Sequence, residues 1–232
     1  MNCSSSPSRP QHLPPWLDAL LDLLYPPHCV ACGRGGAWLC DACLDTAPLF
    51  QGQTARHTWS DEHGGRGGVV YSVGPHVPPL REAVHALKYE GARVLSEPLG
   101  ELMAATWRGR TIPVDLIIPV PLHTRRLRQR GYNQSLLLAR ELAQHLDIPL
   151  CHESLVRARH TRAQVGLSRR ERWDNVRGAF RTVSREPAGA RVLLVDDVMT
   201  TGATLKACSL ALREGGAKEV VCLTLTRAAG GV

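Results

Sequence analysis

From Val69 onward, apolar residues alternate between two rhythms. Short unbroken apolar runs predict buried strands at Val69–Val73, Val114–Val120, Arg191–Val195 and Val220–Thr226, with a shorter strand at Gly178–Val183. Between them, apolar residues recur three and four positions apart. This predicts helices over Pro79–Leu87 (ending near Gly91), Val94–Trp107, Asn133–Leu146 and Gly202–Glu214. Strands alternating with helices argue for a parallel sheet, and strands apolar at consecutive positions need cover on both faces. The expected fold class is α/β, a parallel twisted sheet flanked by helices.

The N-terminal part follows no such rhythm. Residues 1–15 hold four prolines and predict a disordered leader. Trp16–Tyr25 has helical spacing and is stopped by Pro26 and Pro27. A cysteine-rich segment completes a small module over 16–50. Gln51–Gly68, rich in Gly, Thr and His, reads as a linker before a main domain over 69–232. A chain of 232 residues, 44% hydrophobic and 21% charged, fits one ordinary domain plus an appendage. No run approaches the length of a membrane span, and no signal peptide is visible, so a cytoplasmic location is expected.

Charge sharpens the picture. The net charge is +7, and every cation except Lys88, Lys206 and Lys218 is arginine. Between Pro121 and Arg185 there are 14 Arg against 5 Asp or Glu, a local balance of +9. Such a concentrated field suits polyanions: nucleotides, diphosphates or nucleic acid. An arginine-biased coding sequence would give the same total without that meaning.

The most specific pattern is Val192-Leu-Leu-Val-Asp196-Asp197-Val-Met-Thr200-Thr201-Gly202-Ala203-Thr204. A buried strand runs into two adjacent acids and then a Thr/Gly turn that opens a helix. Glycine lets backbone approach a ligand closely, and free amides at a helix start attract an anion. Thr200, Thr201, Gly202, Ala203 and Thr204 thus read as a monophosphate cradle. Asp196 and Asp197, one step upstream, can accept hydrogen bonds from vicinal ribose hydroxyls. Each half alone would pass for a solvated strand end or a helix cap; joined, they fit a sugar carrying a 5′-phosphate.

The cysteines form a second pattern, Cys29-x2-Cys32-x7-Cys40-x2-Cys43. Two CxxC pairs can close a tetrahedral thiolate site, so a structural Zn²⁺ is expected, with iron as the alternative metal and disulfides disfavoured in a reducing compartment. Arg34 and Trp38 could make this knuckle a docking surface. Cys208 and Cys222 read as small core residues, and His28, His57, His63 and His76, irregularly spaced, as surface positions.

The Val195–Thr204 stretch resembles the signature of type I phosphoribosyltransferases. Together with the paired cysteines, Pro119–Ser135, and Thr161–Gln164 through Asn175–Phe180, the chain is similar to the ComF family, also called GntX, from about Trp16 to Arg227. The resemblance implies a phosphoribosyltransferase fold, a 5-phosphoribosyl-1-diphosphate donor with Mg²⁺, and a link to competence and DNA uptake. It also implies that the loop after the strand at Val114–Val120 holds diphosphate, through Arg125, Arg126, Arg128 and Arg130. Regular helical spacing cannot turn all four one way, so some should face solvent or a partner. Lys88-Tyr89 is similar to a family segment at a helix end, so Lys88 could reach the ligand; a plain helix-dipole cation is the alternative. His160–Asn175 sits where the family has a hood over the pocket, and a surface helix is the competing reading. Two functions follow. The first is phosphoribosyl transfer to an acceptor the sequence does not specify, with Asp196 and Asp197 as the catalytic pair. The second is a non-enzymatic uptake factor that binds single-stranded DNA or an ATP-driven helicase.

Overall fold

The computed structural model describes residues 26–51, 55–59, 67–159 and 169–228. The expected leader, the Trp16–Tyr25 helix, His63 and residues 160–168 of the expected hood lie outside them. After a short helix α1 (Asp41–Asp45) come strands β1 (Arg56–Trp59) and β2 (Gly68–Pro75), then helices α2 (Leu80–Tyr89) and α3 (Ser96–Arg108). Strand β3 (Leu116–Pro119) leads into α4 (Thr124–Arg130) and α5 (Gln134–Leu146). Next are β4 (Leu155–Arg157), α6 (Arg169–Val176), β5 (Phe180–Thr182), β6 (Arg191–Met199), α7 (Ala203–Glu214) and β7 (Glu219–Arg227).

The main sheet runs β1-β2-β7-β6-β3, parallel throughout except for β1, while β4 and β5 pair antiparallel in a small sheet of their own. Side chains of β6 show why both faces must be covered. Leu193 and Val195 enter a core built with α2, α3 and α5, whereas Val192 and Leu194 enter a second core with α7, Leu155 and Phe180. This is the expected α/β architecture. At the base of β6, Arg191 donates from Nε and Nη2 to the two carboxylate oxygens of Asp115, at 2.9 and 2.5 Å. Those charged hydrogen bonds hold the Asp115 carboxyl down at about 2 and fix the start of β6 beside β3.

Four segments differ from the sequence reading. The stretch read as a linker carries β1, which pairs with β2 over Arg56–Trp59 and extends the sheet. The strand read as Arg191–Val195 continues through both acids to Met199, because β7 offers backbone partners along the whole length. The arginine segment is a helix, α4. It is capped at its start by the His123 side chain accepting from the Arg125 amide and ended by Gly131 in the left-handed region at φ 79°. The Cys29–Cys43 module is not separate: Cys29, Leu39 and Ala47 join the first core, and Phe50 N–H donates to Val73 C=O at 2.8 Å.

Helix α3 crosses α5 at Gly100, where an added Cβ would collide with the Cβ of Glu141. Gly100→Ala should therefore destabilise the fold by about 1–3 kcal/mol through overpacking, despite alanine's better helix propensity. Urea unfolding measures this, and a variant as stable as the parent would show that the two helices separate freely.

Candidate functional site

The carboxyl edge of a parallel sheet gathers the ends of successive strands and the starts of the helices that follow, and ligands bind there in open α/β folds. Here that edge opens into a cavity of about 700 Å³, within the ordinary range for a small-molecule site. Its floor is the tip of β6. Asp196 and Asp197 are only 8% and 3% exposed, so each carboxylate needs partners. Asp196 Oδ1 accepts from Ser135 Oγ at 2.7 Å and from the Asp197 amide at 3.0 Å. Asp197 Oδ1 accepts from the Val198 amide at 2.8 Å, and its Oδ2 pairs with Lys88 Nζ at 2.6 Å. Burial, and then the neighbouring Asp197 charge, push the Asp196 carboxyl up to about 7, while Ser135 and Lys88 pull the other way. The two adjacent acids are thus made unequal: one has a full cationic partner and the other hydrogen bonds alone.

Beyond the acids the chain turns at Gly202, in the left-handed region at φ 74°, and enters α7. Thr200 and Thr204 line the cavity, and Gly202 and Ala203 line an adjoining recess of about 50 Å³ that also touches Asp196. The turn and the helix start face this recess, a geometry suited to a compact anion. Thr201 lines neither space; its Oγ1 is buried and hydrogen-bonds to no group among the described residues.

Of the four candidate arginines, Arg126 and Arg130 line the cavity, whereas Arg125 and Arg128 are exposed and do not. The helix explains the division: positions four apart share a face. Arg130 donates to Gln134 Oε1 and lies 5.2 Å from the ring centre of Tyr89. Lys88 lines the cavity, where it pairs with Asp197. Within the hood segment, Arg172 lines the cavity.

Sequence reasoning missed His76, Ser135 and Arg157. His76, read as a surface residue, lines the cavity and its Nδ1 lies 2.9 Å from Thr226 Oγ1. Burial, and then the Lys88 charge, lower its pKa and so favour the neutral ring. The available signal was position, since His76 directly follows a parallel strand. Ser135 was signalled by its place at the start of α5, directly behind the Asn133 cap. Arg157 carried no local signal.

The four thiols of Cys29, Cys32, Cys40 and Cys43 lie within 4.8 Å of one another, with Cys29–Cys43 and Cys32–Cys40 both at 3.7 Å. Tetrahedral thiolates around zinc stand roughly 3.8 Å apart, from a Zn–S bond of about 2.3 Å, so the donor set and its spacing fit such an ion. Burial raises the Cys29 thiol, but backbone amides, first that of Cys40, outweigh it and hold the thiol at about 6. Cys208 and Cys222 are buried core thiols, as expected. Among the described residues no helix is long and apolar enough to cross a membrane.

A phosphoribosyl transferase domain model matches residues 133–231. The chain is 39% identical over 163 residues to Competence protein F of Haemophilus influenzae, covering 67% of this chain and 71% of that protein. It is 38% identical over 165 residues to the DNA utilization protein YhgH of Salmonella typhi, covering 68% of this chain and 72% of that protein. Competence protein ComFC of Bacillus subtilis is 33% identical over 115 residues, 48% of this chain and 44% of that protein.

The Lys88–Asp197 pair is largely enclosed, with side chains 18% and 5% exposed. Lys88→Met should cost about 3 kcal/mol by stranding the carboxylate, and adding Asp197→Asn should recover most of that loss. Denaturant unfolding of the single and double variants gives the coupling. Additive losses would mean that the two groups do not stabilise one another.

Proposed function

Because the chain belongs to the ComF family of competence and DNA-utilization proteins, we propose that it binds 5-phosphoribosyl-1-diphosphate with Mg²⁺ in the cavity over β6 and transfers phosphoribosyl to an acceptor in the service of DNA uptake. One observation carries this reading: the paired acids, the left-handed turn and the start of α7 all border one cavity. Asp196 and Asp197 accept the ribose hydroxyls. Thr200, Thr204 and the amides opening α7 take the 5′-phosphate. Arg126 and Arg130 face the diphosphate, and Lys88 positions Asp197.

The chemistry explains the charges. The C1–O bond to diphosphate breaks as an acceptor nitrogen forms its bond to C1, so positive charge gathers on the sugar and negative charge on the leaving group. Arginines fixed along the wall stabilise that negative charge without reorganising. Mg²⁺ arriving with the donor would neutralise part of it. Buried carboxylates holding the ribose keep C1 oriented and sit close to the developing cation.

Zn²⁺ is the ion we assign to the four cysteines, as a structural centre; iron shares the ligand set and is distinguished by elemental analysis. A cytoplasmic location accords with the thiol-based centre. A second reading, a non-enzymatic factor that binds single-stranded DNA or a helicase, is favoured by Arg125 and Arg128, which point away from the cavity and lie exposed on α4 beside exposed Leu127.

Asp196→Asn combined with Asp197→Asn should weaken donor binding at least a hundredfold or so, given the value of charge-assisted hydrogen bonds. Calorimetric titration with the Mg²⁺-donor complex measures it, and unchanged affinity in a folded variant would refute the site. Diphosphate release across a panel of bases and amines separates the two functions: silence with every acceptor, together with strand binding lost in Arg125→Ala/Arg128→Ala, would favour the accessory role.

Elemental analysis of the purified protein should find one zinc per chain, lost in Cys40→Ser/Cys43→Ser. That variant should also melt at lower temperature, because Cys29, Leu39 and Ala47 lie in the first core. A metal-free parent protein with an unaltered melting temperature would remove zinc from the account.

A further inference from the structure

Arg157 ends β4 in the small sheet, far in sequence from α4, yet it lines the same cavity as Arg126. Its position is set from two sides. In the β4–β5 register it stands opposite Phe180, and its guanidinium carbon lies 5.3 Å from the centre of that ring. Phe180 is itself buried in the second core. The Nε of Arg157 is buried, so the guanidinium is held along the wall instead of ranging in solvent.

Burial is the main influence lowering the pKa of Arg157, and the like charge of Arg126 is the next; Asp196 acts in the opposite sense. Arg126 and Arg157 line one cavity, and like charges facing a shared cleft repel one another. The fold maintains that cost through the β4–β5 pairing and the α4 caps, and an anion between the two groups would relieve it. A guanidinium offers a rigid fork of donors that matches phosphoryl oxygens two at a time.

We propose that Arg157 of the small sheet and Arg126 of α4 form a two-sided clamp for a phosphoryl group of the cavity's ligand. This rests on the phosphoribosyl-diphosphate reading above and deepens it. The clamp assigns a binding task to the small sheet, which contributes no other residue to the cavity lining among β4 and β5. The gripped group is the leaving diphosphate that Arg126 faces; the 5′-phosphate is the alternative that the test separates, because Asp196 borders both the cavity and the phosphate recess.

The test uses the full-length protein and two separate probes: inorganic diphosphate with Mg²⁺, and ribose 5-phosphate. Calorimetry should show that Arg157→Gln and Arg126→Gln each weaken one probe by roughly tenfold to a hundredfold. The double variant should lose less than the product of the two single losses, because both grip one group. Loss for diphosphate alone would assign the clamp to the leaving group, and loss for ribose 5-phosphate alone would assign it to the cradle. Arg157→Lys, which keeps the charge without the fork, should recover only part of the affinity and guards against misfolding of the glutamine variant. Exposed Arg140 on α5 provides a control for net charge, and Arg140→Gln should bind both probes as the parent does. If the parent binds both probes and Arg157→Gln binds them equally well, the clamp is wrong while the donor reading stands. If the parent binds neither probe, both fail.

Discussion

Two adjacent carboxylates inside a sheet are the constraint around which the structure is arranged. Asp196 and Asp197 lie within the β6–β7 ladder, almost wholly out of solvent, and neither could remain there without partners. The partners come from the ends of two helices on one side of the sheet. Helix α2 ends so that Lys88 reaches Asp197, and α5 begins so that Ser135 reaches Asp196. These two ends are tied together: the Tyr132 hydroxyl donates to Leu87 C=O at 2.5 Å, and Arg93 covers the Tyr132 ring at 4.4 Å. Asn133 links the same point to the end of β3, donating from Nδ2 to Val120 C=O at 3.0 Å. Stabilising the acids and shaping the cavity are therefore one structural problem with one solution.

This explains which parts were legible from the chain alone. Unbroken apolar runs revealed β2, β3, β6 and β7, because strands buried on both faces leave that trace regardless of partners. Helices α2, α3, α5 and α7 were equally plain from their apolar spacing. Strand β1 was not, since it is an edge strand paired with β2 and its side chains alternate between exposed and half-buried positions. Helix α4 was hidden because its seven residues bury no side chain and carry no apolar period; its caps define it. At the site, the acids and the Thr/Gly turn were legible because contiguous residues form them. Selecting Arg126 and Arg130 over Arg125 and Arg128 required knowing that the segment is helical. Arg157 enters the cavity through tertiary placement, which no local pattern records.

The cysteine module belongs to the same edge of the sheet. Gly74, near the end of β2, has no room for a Cβ because the Pro48 carbonyl occupies that space. Two residues later the chain provides His76, whose amide donates to Arg227 C=O at 2.8 Å. Arg227 in turn sits over the Phe50 ring at 4.4 Å. The segment leaving the four cysteines thus packs against the ends of β2 and β7, next to His76 on the cavity wall. A module too small to hold a core of its own is placed where its rigidity bears on the positions of His76 and Thr226. The four cysteines and the Thr200–Thr204 turn are more than 150 residues apart along the chain. The segment after the cysteines reaches the end of β7 as well as that of β2 because these strands are neighbours in the sheet.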